Sequence, residues 1–168
     1  MTAKLIRRLC RHFCTLPSAV KQHFCYGAIQ RIEAAIAASE SQHLGEIRFA
    51  VEARLPLSAL LAKKTAKHRA LEIFSSLKVW DTEQNNGVLI YLLLADHDFE
   101  ILADRGIHRH VESQGWEQIS RHMEQMFKQG KFEAGVIEGI AKISEHLIQY
   151  YPAHGKNQNE LPDVPVIL

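Results

Sequence analysis

Asp81, Glu83, Asn85 and Asn86 gather carboxylate and amide side chains just ahead of the apolar run Val88 to Leu94. Glu46 stands before a second apolar run, and Asp104 and Arg105 stand after a third. Oxygen donors of these types suit a hard cation such as Ca²⁺ or Mg²⁺, which takes carboxylates, amide carbonyls and water. Arg105 beside Asp104 could hold a phosphate through two parallel N–H groups, or pair with Glu83. Backbone chemistry alone would also explain the same residues. Asp81 and Thr82 can turn the chain after a helix, Asn85-Asn86-Gly87 can make a tight turn, and Asp104-Arg105-Gly106 can end a strand. Both readings stand at this level.

The patterns of the better-known catalytic and metal sites are missing. The acidic stretch lacks the bidentate Glu that an EF-hand loop requires, and Gly87 is its only glycine. There is no HExxH, CxxC, GxSxG, P-loop or GxGxxG. His108 and His110 are two apart, and His122 and His146 fall on separate helices, as expected of solvated histidines. Cys10, Cys14 and Cys25 are odd in number and read as reduced thiols. Cys10 and Cys14 would share a helical face and could bind a metal only if His23 joined them.

The elements that must position these groups follow from periodicity. Pro17 and the stripe Val20, Phe24, Ile29, Ile32, Ile36 predict a helix to about Ser41, and the alternation from Glu46 to Glu52 predicts a strand. Pro56 opens a helix to about Leu77, with Leu57, Leu60, Leu61, Leu71, Phe74 and Leu77 facing a sheet. Val88 to Leu94 reads as a strand buried on both faces, and the polar link Ala95 to Asp98 makes Phe99 to Ala103 its hairpin partner. Helical spacing returns at Glu112, stops at Gly130, and resumes from Phe132 to Pro152. The expected architecture is α/β: a three-layer α/β/α sandwich with a mixed central sheet built from a βαβ unit plus a hairpin. It has at least three strands, with a fourth in the 105–113 region or the tail. The organisation expected is a basic segment over 1–16, one domain over 17–152, and an extended tail over 153–168. This connectivity brings Glu46, Asp81, Glu83, Asn85, Asn86 and Asp104 to one edge of the sheet.

The net charge of +1 and ordinary composition do not call for specific nucleic-acid binding. Charge is uneven, however: Lys4, Arg7, Arg8, Arg11, Lys21 and Arg31 precede the first acid, Glu33. The amphipathic beginning with Leu5, Ile6, Leu9 and Phe13 could lie on an anionic membrane surface or contact a protein partner, or it could be a solvated helix. Its arginines interrupt any secretory apolar region, and no run reaches the length that spans a bilayer. A cytoplasmic protein, peripheral at the inner membrane face, is expected.

The stretch Val79-Trp80-Asp81-Thr82-Glu83-Gln84-Asn85-Asn86-Gly87-Val88-Leu89-Ile90-Tyr91, with Glu100-Ile101-Leu102-Ala103-Asp104-Arg105-Gly106-Ile107, resembles the TPM-domain family. Trp116, the stretch from Phe127 to Phe132 with Gly130, and Glu160-Leu161-Pro162-Asp163 extend the likeness to short bacterial members. That family includes thylakoid-lumen proteins linked to photosystem II repair, a nematode receptor accessory protein, and bacterial proteins similar to neighbours of LemA-type membrane proteins. The resemblance implies an α/β sandwich and a divalent cation at the acidic edge, carried over onto Glu46, Asp81 and Asp104. With Asn85 and Asn86 these make the expected metal set. Acid phosphatase activity attributed to some members implies Asp104 and Arg105 as the corresponding catalytic candidates. This chain departs from exported members in lacking a usable signal and a membrane span.

Overall fold

The computed structural model describes residues 3–153 and 159–168. Helices α1 (Ala3–Cys14), α2 (Ser18–His23) and α3 (Tyr26–Glu40) precede strand β1 (Ile47–Glu52). Helices α4 (Leu57–Leu61) and α5 (Ala66–Ser76) cross over to β2 (Val88–Leu93), which a single 3₁₀ turn joins to β3 (Asp98–Ala103). Helices α6 (Arg105–Lys128) and α7 (Phe132–Tyr150) follow, and the tail ends in β4 (Val166–Ile167). The sheet order is β3-β2-β1-β4. β1 runs parallel to β2 and β4, and β2 pairs antiparallel with β3, so the expected mixed α/β sandwich is observed.

Alternation along the strands divides the core into two layers. Phe49, Val51, Ile90 and Leu92 pack with Ile32 and Ile36 of α3, Met123 of α6 and Ile140 and Ile143 of α7. Ala50, Leu89, Tyr91 and Leu93 pack on the other side with Leu60, Ala70 and Ile73 of α4 and α5. Every residue of β1 and β2 is buried; β2 accordingly reads as a nearly continuous apolar run, whereas β1, which reads as alternating, buries Arg48 and Glu52 as well. The charged members of β1 are the exceptions that shape the site.

Three expected elements differ in detail. The helix expected from Pro17 to Ser41 breaks at Phe24 and Cys25, where Cys25 is extended and the Phe24 ring is buried against Phe49. The helix expected from Pro56 to Leu77 breaks at Lys63, which adopts a left-handed φ of 56°. A new helix starts after Thr65, whose hydroxyl accepts from the His68 N–H while the His68 side chain bonds back to the Thr65 N–H. The 105–113 region, one of two places expected to hold a fourth strand, is helical. Asp104 caps α6, and the expected start at Glu112 is a kink (φ 56°, ψ 174°) between its two pieces. The fourth strand lies in the tail instead. Gly130 takes φ 74° and ends α6 with its N–H on the Phe127 carbonyl, as a glycine terminator does.

Candidate functional site

The N-terminal ends of β1 and β2 and the C-terminal end of β3 meet as the hairpin requires. Main-chain geometry makes the corner tight. The Asp104 N–H donates to the Gly87 carbonyl at 2.8 Å, and the Gly106 N–H donates to the Asn85 carbonyl at 2.9 Å. Asn85 itself is left-handed, at φ 54°. A Cβ on Gly87 would lie 2.0 Å from the Val79 carbonyl oxygen, and one on Gly106 would lie 2.4 Å from that of Asn85. Both positions therefore require glycine for close backbone approach. Asp104 Oδ1 accepts from the Arg105 N–H at 2.6 Å, and Arg105 Nε donates to Asn85 Oδ1 at 3.0 Å. Asp104 Oδ2 is buried without a hydrogen-bond partner.

Asn86 is fully buried. It uses Nδ2 on the Leu44 carbonyl at 2.9 Å, its N–H on Thr82 Oγ1 at 3.1 Å, and leaves Oδ1 without a partner. Asp81 and Glu83 are exposed. Glu46 is also buried, and its two carboxylate oxygens accept from the N–H groups of Glu160 and Leu161 in the tail, each at 3.1 Å. Of the five expected ligands, Asn85 and Asp104 are joined through Arg105, Asn86 bridges to the start of β1, Glu46 holds the tail, and Asp81 faces solvent. Among the described residues no three His, Cys, Asp or Glu side chains are grouped to hold a metal ion, including Cys10, Cys14 and His23. All three cysteines are free and exposed.

Sequence reasoning missed a buried ionisable cluster beneath the tail. Glu40 accepts the Ile47 N–H at 2.7 Å, and burial pushes its carboxyl up to about 9, with Glu46 and Asp163 nearby adding to the rise. Burial likewise raises Glu46 to about 7, against the lowering effect of its two N–H donors. Arg48 is 5% exposed, and its Nε and Nη1 are buried without hydrogen-bond partners, with Glu40, Asp163 and Glu46 as neighbouring charges. Burial holds the Arg48 pKa below the usual guanidinium value. His43 is buried as well, and loss of hydration lowers it to about 4. The signal available was the placement of Glu46 and Arg48 in an otherwise apolar strand, since buried charges demand partners.

The C-terminal ends of β1 and β2 carry a different arrangement. Glu52, at 4% exposure, accepts from Arg69 Nε at 2.9 Å and from the Tyr91 hydroxyl at 2.7 Å. Arg69 also reaches Glu72 at 3.1 Å, and Lys64 pairs with Glu72. Beyond β2, Asp96 receives Arg8 at 2.6 Å and Arg11 at 3.1 Å from α1. The His12 Nδ1 accepts the Leu55 N–H, so its Nε2 carries the proton that faces Asp96 Oδ1 at 3.1 Å. Burial alone would raise Asp96, but its hydrogen bonds from Arg8 and His12 outweigh that and hold it low. A cavity of about 310 Å³ opens at this end between Leu92, Leu94, Phe99, Phe127 and Phe132.

With the geometry in place, comparison with known proteins identifies the lineage. The family model of the TPM domain matches residues 24–146. The BA42 protein of the psychrophilic bacterium Bizionia argentinensis, solved by NMR, is 31% identical over 84% of this chain and 93% of its own, with a TM-score of 0.75. A search of curated proteins gave no match. The domain match covers both strands of the hairpin, the Asn85–Asp104 corner and the helices that close over it, and the chain belongs to the TPM-domain family.

Proposed function

We propose that this TPM domain is a non-catalytic interaction module that takes a divalent cation, Ca²⁺ or Mg²⁺, at the corner formed by Asn85 and Asp104. The observation that supports this reading is Asp104 Oδ2, a carboxylate oxygen withdrawn from water without a hydrogen bond. Such an atom is costly unless a cation or donor reaches it. The donors available are of the right chemistry: the Asp104 carboxylate, the Asn85 amide oxygen and main-chain carbonyls of the loop. The buried, unpartnered Asn86 Oδ1 belongs to the same loop. One carboxylate supplies little charge, so the affinity belongs with weak sites of about 10⁻⁴ to 10⁻³ M. Arg105 now occupies Asn85 Oδ1, and its guanidinium must swing aside to admit a second cation. Glu46 and Asn86 serve this corner as supports, tying it to the tail and to the start of β1.

A titration with CaCl₂ and with MgCl₂, followed by amide NMR and thermal unfolding, tests the reading. Saturable shifts are expected over residues 84–87 and 104–107 in the wild type and in Asp81→Asn. They are lost in Asp104→Asn and strengthened in Arg105→Gln. A ligand at ten times its dissociation constant stabilises by about 1.4 kcal/mol. Unchanged spectra at 10 mM of either metal would reject the site.

A metal-dependent acid phosphatase is the second reading, supported by Arg105 lying beside Asp104 at the same corner. A bound cation there would polarise a phosphoryl oxygen. Arg105 would leave Asn85 and hold the remaining oxygens, because the first N–H groups of α6 are already bonded to Asp104 Oδ1 and the Asn85 carbonyl. Hydrolysis of p-nitrophenyl phosphate that falls at least tenfold in Asp104→Asn is the expected result. Hydrolysis that is absent, or insensitive to this change, would remove the reading.

A further inference from the structure

We infer that the outward face of α1 and α4 is a docking surface for an anionic lipid bilayer. This goes beyond the cation corner, which lies at the opposite ends of β1 and β2. Four large apolar side chains are left in water there: Ile6 at 45% exposure, Phe13 at 62%, Leu57 at 50% and Leu61 at 57%. Ile6 and Phe13 are seven apart on α1 and so share one side of the helix, with exposed Cys10 between them, while Leu57 and Leu61 are four apart on α4. A shallow hollow lined by Phe13, Arg54, Pro56, Leu57 and Leu60 joins the two helices into one surface.

The helix is fixed in that orientation from below. Arg8 and His12 are bound to Asp96, and Leu9 packs against the core layer that contains Leu89 and Tyr91. Ile6 and Phe13 stand three and four residues from Leu9, so the apolar stripe of the helix runs beyond its buried edge and leaves these two side chains in water. A contiguous exposed apolar face of this kind marks an interaction surface.

Charge selects the occupant. Arg7 and Arg54 are exposed, Arg11 keeps half of its side-chain surface in water, and Lys63 is exposed just beyond Leu61. No acidic residue occurs before Glu33, and Asp96 at the base of α1 is neutralised by two arginines. Apolar side chains ringed by arginine and lysine match an interface of acyl chains beneath anionic headgroups. Among the described residues no helix is long and apolar enough to cross a membrane, so contact would be peripheral. Phe13, Leu57 and Leu61 enter the headgroup boundary, and Arg7, Arg11 and Arg54 meet the phosphates.

Vesicle co-sedimentation of the full chain tests the surface, using phosphatidylcholine vesicles with and without 30% phosphatidylglycerol. The wild type should partition at least tenfold more strongly onto the anionic vesicles, with most of the difference removed by 0.5 M NaCl. Arg7→Glu and Arg54→Glu should each weaken partition about fivefold or more. The double variant Phe13→Ser/Leu57→Ser should weaken it at least tenfold, and because both side chains are exposed it should retain the wild-type unfolding midpoint. Equal recovery on neutral and anionic vesicles, or no recovery on either, overturns the inference. So does wild-type partition by Phe13→Ser/Leu57→Ser. If the wild type is instead a dimer that this variant makes monomeric, the face belongs to a second copy of the chain and the lipid assignment fails.

Discussion

The two ends of the β1–β2 pair both bury carboxylates, but they hold them with different donors. At the N-terminal end, Glu46 and Glu40 accept main-chain N–H groups from the tail and from Ile47. At the C-terminal end, Glu52 and Asp96 are held by the guanidinium groups of Arg69, Arg8 and Arg11. The main-chain N–H donors favour the ionised carboxylates, but the loss of hydration on burial outweighs them and both Glu40 and Glu46 are pushed up. A guanidinium favours only the ionised form, and Asp96 stays low. One end of the domain is therefore responsive to protons, while the other is held by ion pairs that fix α1 with Ile6 and Phe13 left in water.

The largest test of this contrast is at the locked end. Arg69→Ala leaves Glu52 buried beside the Tyr91 hydroxyl without its cation, and should cost about 3–5 kcal/mol in urea unfolding. A cost under about 1 kcal/mol would show that water reaches Glu52 freely. Asp96→Ala should cost about 2–3 kcal/mol, because charged hydrogen bonds from Arg8 and Arg11 are lost together. Hydrogen exchange should locate that loss in α1 while β1 and β2 keep their protection.

At the responsive end the prediction is one of pH. Glu46 and Glu40 bind protons more tightly in the folded chain than at their ordinary 4.5, so their contribution is complete below pH 4.5. It is lost as pH rises through about 7 for Glu46 and about 9 for Glu40. His43 works oppositely: lowered from 6.5 to about 4, it contributes above pH 6.5 and loses that contribution as pH falls toward 4. Between pH 4.5 and 6.5 Glu46 and His43 offset each other and Glu40 alone makes stability fall; above pH 6.5 Glu46 adds to the fall until it titrates near 7, and Glu40 continues it to about 9. Glu46→Gln should remove about 2 kcal/mol of the fall between pH 5 and 8, since each pKa unit is worth about 1.4 kcal/mol. An unchanged slope between pH 5 and 8 in that variant would assign the dependence elsewhere. The smallest effect is expected at Thr65→Ala, which removes the cap of the helix carrying Arg69 and should cost about 1 kcal/mol by thermal unfolding.

Much of the frame is legible in residue order. Val88 to Leu94 is apolar throughout because both of its faces are covered, and the four-residue polar link after it leaves the chain only a hairpin. Parallel pairing of Ile47 with Val88 then follows from the helical crossover between them. From that connectivity the meeting of Asn85 with Asp104 is predictable. The breaks at Phe24 and Lys63 are not, because a helical stripe persists through both and only the packing of the Phe24 ring and the left-handed Lys63 show the chain turning. Glu46 was legible as a carboxylate at the edge, but not as the anchor of residues over a hundred positions later.

Periodicity and turn chemistry by themselves determined the α/β sandwich, the hairpin and the corner where its polar residues gather, because those features depend on neighbours within a few residues or on the handedness of a single crossover. Tertiary structure alone decided which carboxylates keep their oxygens free. The tail returns to cover Glu46 and Arg48, Arg105 turns to Asn85, and Asp96 draws α1 down so that Phe13 faces outward. Those choices rest on partners distant in sequence, and burial with its loss of hydration exists only once the chain has closed around them.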